Sequence, residues 1–209
     1  IIRGLVGSEM CIRDSDNIED ICQSSWGVMV ARGDLGIETS LTNLPNIQRK
    51  IMLSCATHGK RSIVATHLLE SMINNPTPTR AEVTDIANAV YEGADAVMLS
   101  GETSIGKYPE ECIKFMKSIV AETEKFKTLG YENNLQKNSD WEYIGQAAKN
   151  LAESIEADGI IAITRTGDTA TYIANAKPHG VPIFSFTNNE VTLRPVSYTH
   201  LRAHETAYY

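Results

Sequence analysis

Short apolar stretches alternate along the chain with longer segments in which apolar residues recur at helical spacing. The first three apolar stretches run from Gly27 to Ala31, from Arg61 to Thr66 and from Ala94 to Leu99. The first is apolar without alternation, as expected of a parallel strand that is covered on both faces. Helical periods lie between them, at about Leu44 to His58 and Ala81 to Glu92. This order of strands and helices predicts parallel βα units and an α/β fold.

The alternation continues after a polar interruption. A long amphipathic helix is predicted from Pro109 to Leu129, and the Asn-rich segment from Tyr131 to Ser139 is typical of a linker. We therefore expect a domain boundary between residues 134 and 135. Beyond it the pattern predicts two helices, each followed by a strand. In chain order they are helix Trp141 to Ile155, strand Gly159 to Thr164, helix Thr169 to Ala176 and strand Val181 to Phe186.

One local signal is specific enough to predict where a helix starts. Thr79 and Glu82 have the spacing of a capping box, in which the threonine hydroxyl accepts from the Glu82 amide and the Glu82 carboxylate reaches back. Pro76 and Pro78 restrict the loop that precedes this start.

Candidate chemistry follows the first strand. Gly33 would let the backbone approach a ligand closely, and Asp34 offers the hard oxygen donor that Mg2+ prefers. An aspartate after a strand is as often a turn or helix-capping residue, so this stretch alone leaves both interpretations open. The other two strands also end in polar groups, around Thr66 and Glu102, which favours a functional role.

Three segments resemble the pyruvate kinase family, in family order and with family spacing. They are MVARGDLG at 29–36, ATHLLESMINNPTPTRAEVTDIANAV at 65–90 and GADAVMLSGETSIGKYP at 93–109. The resemblance implies that residues 16–134 form about the last three βα units of a TIM (β/α)8 barrel, whose active site lies at the C-terminal ends of the strands. It also implies that residues 135–195 are the start of the family's C-terminal α/β domain.

The resemblance implies phosphoryl transfer from phosphoenolpyruvate to ADP, which gives pyruvate and ATP. At the matching positions, Gly33, Asp34 and Thr66 would bind substrate, and Asp34 would also bind Mg2+ or Mn2+. Thr66 would in addition take part in a relay that delivers the proton to enolpyruvate. K+ is implied as a further cofactor, with ligands outside this chain, and the intact parent protein is expected to be a homotetramer.

The remaining polar side chains of these motifs are interpreted as fixing loops or subunit contacts through charge-assisted hydrogen bonds. They are Arg32, Glu70, Arg80, Asp85 and Glu102. His67 stands where many family members carry glutamine. It is interpreted as a hydrogen-bonded spacer, and a local effect on pH dependence stays open.

In the second domain the resemblance implies a site for a sugar-phosphate effector. The candidate phosphate loop consists of Thr164, Arg165, Thr166, Gly167 and Thr169, at a strand-to-helix turn whose amides can hold phosphate. Asp168 stands where the family usually carries a basic residue, and its negative charge disfavours a phosphate. The alternative is that Asp168 caps the following helix.

The two ends of the chain have a different character. With suitable synonymous codons, the reverse complement of the DNA for Val196 to Glu205 encodes Leu5 to Asp14, so ten residues at one end are antisense to ten at the other. No constraint on folding or catalysis would produce this relation. It resembles sequencing-adapter DNA read through in frame, and we expect residues 1–15 and 196–209 to be non-native tails.

Composition excludes some classes of protein. A net charge of −7 without a basic stripe gives no support to nucleic-acid binding, and no apolar run approaches the length of a membrane span. Cys22, Cys55 and Cys112 are scattered without metal-ligand spacing, which favours thiols in a reducing cytosol and hence a cytoplasmic protein.

Two functions of different class stay open. The first is catalysis by the intact parent protein, and the second is a non-catalytic relative that binds metabolites or supports assembly. A Mg2+-enolate lyase on the same barrel is a third, which would not need the segment at 65–90. The family carries a Lys-x-Glu strand at a position just before residue 16, and its presence in the parent gene would separate the first two. Because a barrel needs eight strands and about three are expected here, we expect this chain by itself to be inactive and to aggregate.

Overall fold

The computed structural model describes residues 17–187. The predicted non-native tails, 1–15 and 196–209, lie outside the described residues. The chain divides into two compact units between Gln136 and Lys137. This division falls two residues after the domain boundary predicted from the sequence.

The first unit is built around a parallel three-stranded sheet. Its strands are β1 (Gly27–Ala31), β2 (Arg61–Ala65) and β3 (Ala96–Met98), in the order β1-β2-β3. The register pairs Ala31 with Ala65 and Ala65 with Met98, so the three strands end at the same level. The polar groups that follow the strands are therefore brought to one edge of the sheet.

Helices connect and flank these strands. They are α1 (Ile18–Ser24), α2 (Arg32–Glu38), α3 (Leu44–Thr57), α4 (Arg80–Tyr91), α5 (Gly101–Ser104) and α6 (Pro109–Thr123), with 3-10 turns at Glu70–Ile73 and Tyr131–Asn134. The core between sheet and helices contains Val30, Val64, Leu69, Met72 and Ile86, all of them fully buried. Burial of such side chains supplies most of the free energy that favours this packing.

The capping box predicted at the start of α4 is confirmed. The Glu82 amide donates to Thr79 Oγ1 at 3.3 Å, and the Glu82 carboxylate accepts from the Thr79 amide at 2.7 Å. The same carboxylate accepts from the amide and the hydroxyl of Ser71, at 2.7 and 2.6 Å. Burial would raise the pKa of Glu82, but the hydrogen bonds from Ser71 and Thr79 outweigh it and lower that pKa. One side chain thus starts the helix and anchors the loop before it.

Two sequence-based boundaries differ from the structure. The helix predicted to extend to Leu129 ends at Thr123, because the chain then folds back and the Leu129 amide donates to Tyr91 O at 2.7 Å. The segment predicted as a linker is partly packed on the first unit. Leu135 is buried there, and the Gln136 amide donates to Thr57 O at 2.8 Å.

The second unit consists of α7 (Asp140–Ser154), β4 (Ile160–Ile163), α8 (Asp168–Asn175) and β5 (Ile183–Phe186), and its two strands are parallel. Helix α8 packs on one face of the strands, around Ala162, Ala170 and Ile173, and α7 packs against α8. The two helices also approach each other closely, because a Cβ at Gly145 would lie 2.8 Å from the Tyr172 backbone.

The other face of this small sheet is apolar and exposed. Ile161 and Ile163 of β4 are 69% and 82% exposed, and Phe184 and Phe186 of β5 are 49% and 58% exposed. Parallel sheets are ordinarily covered on both faces, so this face lacks a second layer among the residues that the structure describes. Within residues 17–187, no helix is long and apolar enough to cross a membrane.

Candidate active site

Polar side chains from three strand ends meet at the C-terminal edge of the first sheet. Arg32, Gly33 and Asp34 follow β1, Thr66 and His67 follow β2, and Ser100 to Glu102 follow β3. Successive strand ends are 33 or 34 residues apart in sequence, so these contacts arise from the register of the sheet. Parallel α/β folds place their sites at this edge.

Arg32 joins the ends of β1 and β2. Its guanidinium donates to Thr66 O at 3.1 and 2.6 Å and to His67 O at 3.0 Å. It also forms an ion pair with Asp85 of α4 at 2.5 Å. The Arg32 side chain is only 8% exposed. The planar fork of an arginine suits such a set of acceptors, which a lysine could not reach in the same way.

The turn after β2 has an unusual backbone. Thr66 and His67 have φ of 68° and 54°, in the left-handed region. This region is costly for a β-branched residue, by about 1–3 kcal/mol. The two carbonyls held by Arg32 belong to these same residues, so Arg32 stabilises the strained turn from the neighbouring strand.

The Thr66 hydroxyl lies at the centre of the site. It accepts from the Gly33 amide at 2.8 Å and donates to Ala65 O at 2.6 Å. Two of the positions predicted to bind substrate are therefore in direct contact with each other. A substrate oxygen bound by the Gly33 amide would have to replace the Thr66 hydroxyl as its acceptor.

Gly33 leaves space in front of this amide. A Cβ built there would lie 3.5 Å from Thr66 Oγ1 and 3.7 Å from His67 Cε1, which are ordinary contact distances. The surrounding chain would therefore accept a side chain at this position. The absence of one leaves room for a ligand oxygen that replaces the Thr66 hydroxyl as the acceptor of this amide.

Asp34 lies in the first turn of α2 and is exposed. No hydrogen bond or ion pair within residues 17–187 uses its carboxylate, so both oxygens are available. The same residues contain no group of three or more His, Cys, Asp or Glu side chains that could hold a metal ion. Asp34 thus fits a Mg2+ site as one hard oxygen ligand, with further ligands from elsewhere.

Glu102 fixes the loops around the site. It is 2% exposed, and its carboxylate accepts from the amides of Leu69 at 3.0 Å and Ser100 at 2.8 Å. The structure therefore shows the loop-fixing role expected of Arg32, Asp85 and Glu102. Glu70, Arg80 and His67 are exposed.

The candidate phosphate loop of the second unit is closed by its own side chains. The Gly167 amide donates to Thr164 Oγ1 at 2.9 Å, and the Thr166 hydroxyl donates to the Asp168 carboxylate at 2.7 Å. Gly167, with φ of 95°, is the N-cap residue of α8. The interpretation of Asp168 as the cap is therefore wrong, since Asp168 is the first helical residue. Thr169 follows it in the first turn, and Arg165 is exposed.

Sequence reasoning missed the cross-strand bonds of Arg32 and of the Gly33 amide. No spacing within one strand signals them, because they depend on which residues of two strands are level. It also missed a contact between Cys22 and Cys55, whose sulfur atoms lie 3.8 Å apart.

Comparisons with known proteins agree with this architecture. Residues 11–113 match the pyruvate kinase barrel domain, and residues 142–202 match the pyruvate kinase alpha/beta domain. The pyruvate kinase of Chlamydia muridarum is 44% identical over 180 residues, which is 83% of this chain and 37% of that protein. The pyruvate kinase of Borreliella burgdorferi is 42% identical over 192 residues, which is 88% of this chain and 39% of that protein.

Solved structures are similar as well. A pyruvate kinase from Cryptosporidium parvum superposes with a TM-score of 0.85 at 35% identity, over 90% of this chain and 39% of that one. A pyruvate kinase from Pyrobaculum aerophilum gives a TM-score of 0.82 at 32% identity, over 88% of this chain and 42% of that one. The chain spans less than two fifths of the length of the Chlamydia relative, and the predicted fold class, part of a TIM barrel followed by part of an α/β domain, is confirmed. The chain belongs to the pyruvate kinase family.

Proposed function

We propose that the intact parent protein transfers a phosphoryl group from phosphoenolpyruvate to ADP, as the names of its relatives state for those proteins. The observation that carries this proposal is the contact of the Gly33 amide with the Thr66 hydroxyl at level strand ends, with Asp34 next in the chain after Gly33. An amide donor, a metal ligand and a proton-relay hydroxyl are the groups that an enolate-forming phosphoryl transfer needs.

Each group has a distinct task in this proposal. The Gly33 amide binds a carboxylate oxygen of the substrate, and the Thr66 hydroxyl is released from that amide at the same time. The Thr66 hydroxyl, which Ala65 O holds in place as an acceptor, then passes a proton to the methylene carbon of enolpyruvate and takes one back from a solvent water, so that it ends as a neutral hydroxyl. Mg2+ or Mn2+, held in part by Asp34, would neutralise the charge that develops on the enolate and the phosphoryl oxygens.

Some finer expectations remain predictions. They are the K+ requirement, the sugar-phosphate effector, the homotetramer, the cytoplasmic location and the non-native origin of the tails. The phosphate loop gains no support from its contacts, because the Gly167 amide and the Thr166 hydroxyl are already used within the loop.

The chain by itself is proposed to be inactive. The aligned part of the chain covers only 31–39% of the length of the relatives. The exposed apolar face of β4 and β5 also favours aggregation of the isolated chain.

A chimeric enzyme tests the proposal. Residues 16–195 replace the matching segment of the Chlamydia muridarum enzyme, and pyruvate formation is measured with phosphoenolpyruvate, ADP, Mg2+ and K+. We expect turnover within about tenfold of the unmodified relative and none from the chain of 209 residues alone. A folded chimera that binds phosphoenolpyruvate without turnover would favour the non-catalytic alternative. Turnover by the isolated chain would overturn the claim that it is inactive.

A further inference from the structure

Two cysteines meet near the edge of the sheet where its strands begin, opposite the edge that carries the candidate active site. Cys22 lies in α1, just before β1, and Cys55 lies in α3, just before β2. They are 33 residues apart, one βα repeat, and so occupy corresponding places at the beginnings of neighbouring strands. Their sulfur atoms are 3.8 Å apart and both residues are buried, with 0% and 1% exposure.

We propose that Cys22 and Cys55 are a redox-reactive pair that peroxide converts to a disulfide linking α1 to α3. A disulfide needs about 2.0 Å between its sulfur atoms, so the pair must close by less than about 2 Å. The two helices already pack against each other, and the two sulfurs are in direct hydrogen-bond contact. The modification goes beyond the proposed function and does not depend on it.

The surroundings of Cys22 favour its thiolate, which is the reactive form. The hydrogen bond with Cys55 is the largest influence and lowers the pKa of Cys22, against the opposing effect of burial. Ser54, His58 and Lys60 lower it further, and the resulting pKa is about 6. Lys60 is held near by its bonds to Gln23 O at 3.1 Å and Ser25 O at 2.7 Å.

Cys112 provides the contrast within the same unit. It is as buried as Cys22, but among the described residues its sulfur donates to the backbone oxygen Glu102 O, at 3.9 Å, and not to another thiol. Burial and the negative charge of Glu102 raise the pKa of Cys112. Equal burial with opposite pKa shifts makes Cys112 an internal reference for thiol reactivity.

The reaction balances with hydrogen peroxide as the oxidant. The Cys22 thiolate attacks one peroxide oxygen, the O–O bond breaks, and the departing hydroxide takes a proton to become water. Cys22 is then a sulfenic acid. The Cys55 sulfur attacks the Cys22 sulfur, the S–S bond forms, and the hydroxyl group leaves with the Cys55 proton as a second water. Two thiols and one peroxide become one disulfide and two waters.

The test uses the full chain with Cys11→Ser, which removes the cysteine of the predicted non-native tail. The native protein is treated with a small excess of hydrogen peroxide, its remaining thiols are alkylated, and tryptic peptides are mapped by mass spectrometry. We expect residues 14–32 and 51–60 to be joined, with the mass of two hydrogen atoms lost, and Cys112 to remain a thiol. Of the three free cysteines within residues 17–187, Cys22 and Cys55 are then oxidised together.

Matched variants and a denatured control complete the experiment. Cys22→Ser and Cys55→Ser each abolish the joined peptides, whereas Cys112→Ser leaves them unchanged. In a separate sample without peroxide, slower alkylation of Cys112 in buffer than in guanidinium chloride reports that the chain is folded. If Cys112 is not protected, the chain is not folded, and the same peptide mapping is carried out on the chimera that carries residues 16–195. The result for the chimera then decides whether the disulfide forms. Absence of the joined peptides from a folded protein, or equal yield in guanidinium chloride, overturns the proposal.

Discussion

The two units each contain a hydrogen bond from a glycine amide to a threonine hydroxyl. One of these bonds belongs to the candidate active site and the other to an ordinary loop, and their surroundings differ. In the first unit, Gly33 donates to Thr66 at 2.8 Å across 33 residues and two strands. In the second, Gly167 donates to Thr164 at 2.9 Å across three residues of one loop. The first bond exists only when the sheet is assembled. The second needs nothing beyond its own loop.

The neighbours of the two bonds differ in the same way. Thr66 lies in a left-handed turn that Arg32 holds from the next strand. The Asp34 carboxylate, next in the chain after Gly33, has no hydrogen bond or ion pair within residues 17–187. Next to Thr164, the only acidic group of the loop, Asp168, accepts from Thr166 within the loop. In the first unit, residues distant in sequence fix the polar groups and the Asp34 carboxylate is left available, an arrangement suited to binding a ligand. In the second unit, the polar groups of the loop form hydrogen bonds with one another, an arrangement suited to ending a strand.

The largest expected effect comes from removing the available charge. In the chimera, Asp34→Asn should lower turnover by about two orders of magnitude or more, the scale on which loss of one preorganised electrostatic partner acts. It should also raise the Mg2+ concentration required for half-maximal rate. The matched change in the other unit, Asp168→Asn, should leave both quantities nearly unchanged. Steady-state kinetics over a Mg2+ series measures them, and equal effects at the two positions would refute the metal-ligand assignment.

The next effect distinguishes the Thr66 hydroxyl from the strained backbone that carries it. Thr66→Ala should lower kcat of the chimera by about 10²-fold, the lower end of what a positioned proton-transfer group contributes. Thr66→Ser keeps the hydroxyl and should retain most of the rate. Both variants have a Cβ at the same positive φ, so strain does not separate them. Equal rates for the two would show that the hydroxyl takes no part in catalysis.

Arg32 tests whether the neighbouring strand holds the turn. Arg32→Lys keeps the charge but loses the fork that reaches two carbonyls, and should lower the free energy of unfolding by about 2 kcal/mol. Arg49→Lys is the control, because Arg49 forms a single ion pair with Glu92 and is 58% exposed. That change should cost less than about 1 kcal/mol. Urea denaturation of the two chimeras gives both values, and a cost at Arg32 no larger than at Arg49 would contradict the argument.

The smallest effect is expected in the second unit. Thr164→Val leaves the buried Gly167 amide without its acceptor and should destabilise that unit by about 1 kcal/mol. Thr164→Ser keeps the acceptor and serves as the control. Neither should change kcat. A loss of activity in Thr164→Val without loss of stability would mean that the loop contributes to the reaction.

Local features of the fold were predictable from the sequence, and features of register were not. The apolar run from Gly27 to Ala31 is a strand as predicted, and the capping box at Thr79 and Glu82 is present. Each depends on a few consecutive residues. The end of α6 at Thr123 was not predictable, because it depends on Leu129 reaching the backbone of Tyr91.

The candidate site shows the same limit. The sequence places Gly33, Asp34 and Thr66 at strand ends, and parallel order brings strand ends to one edge. It does not reveal that the Gly33 amide and the Thr66 hydroxyl are bonded, since a shift of one residue in the β1–β2 register would separate them. It also gives no sign that Arg32 holds the carbonyls of Thr66 and His67.

The dependence of the β2 turn on Arg32 also sets an order of assembly. Before β1 docks beside β2, the Arg32 hydrogen bonds that offset the cost of the left-handed conformation at Thr66 are absent, so we expect that conformation to be less populated. The binding geometry therefore appears only in the step that joins the two strands, and it disappears whenever they part. A nascent or partly unfolded chain would carry Gly33, Asp34 and Thr66 and still lack the geometry in which they bind a substrate.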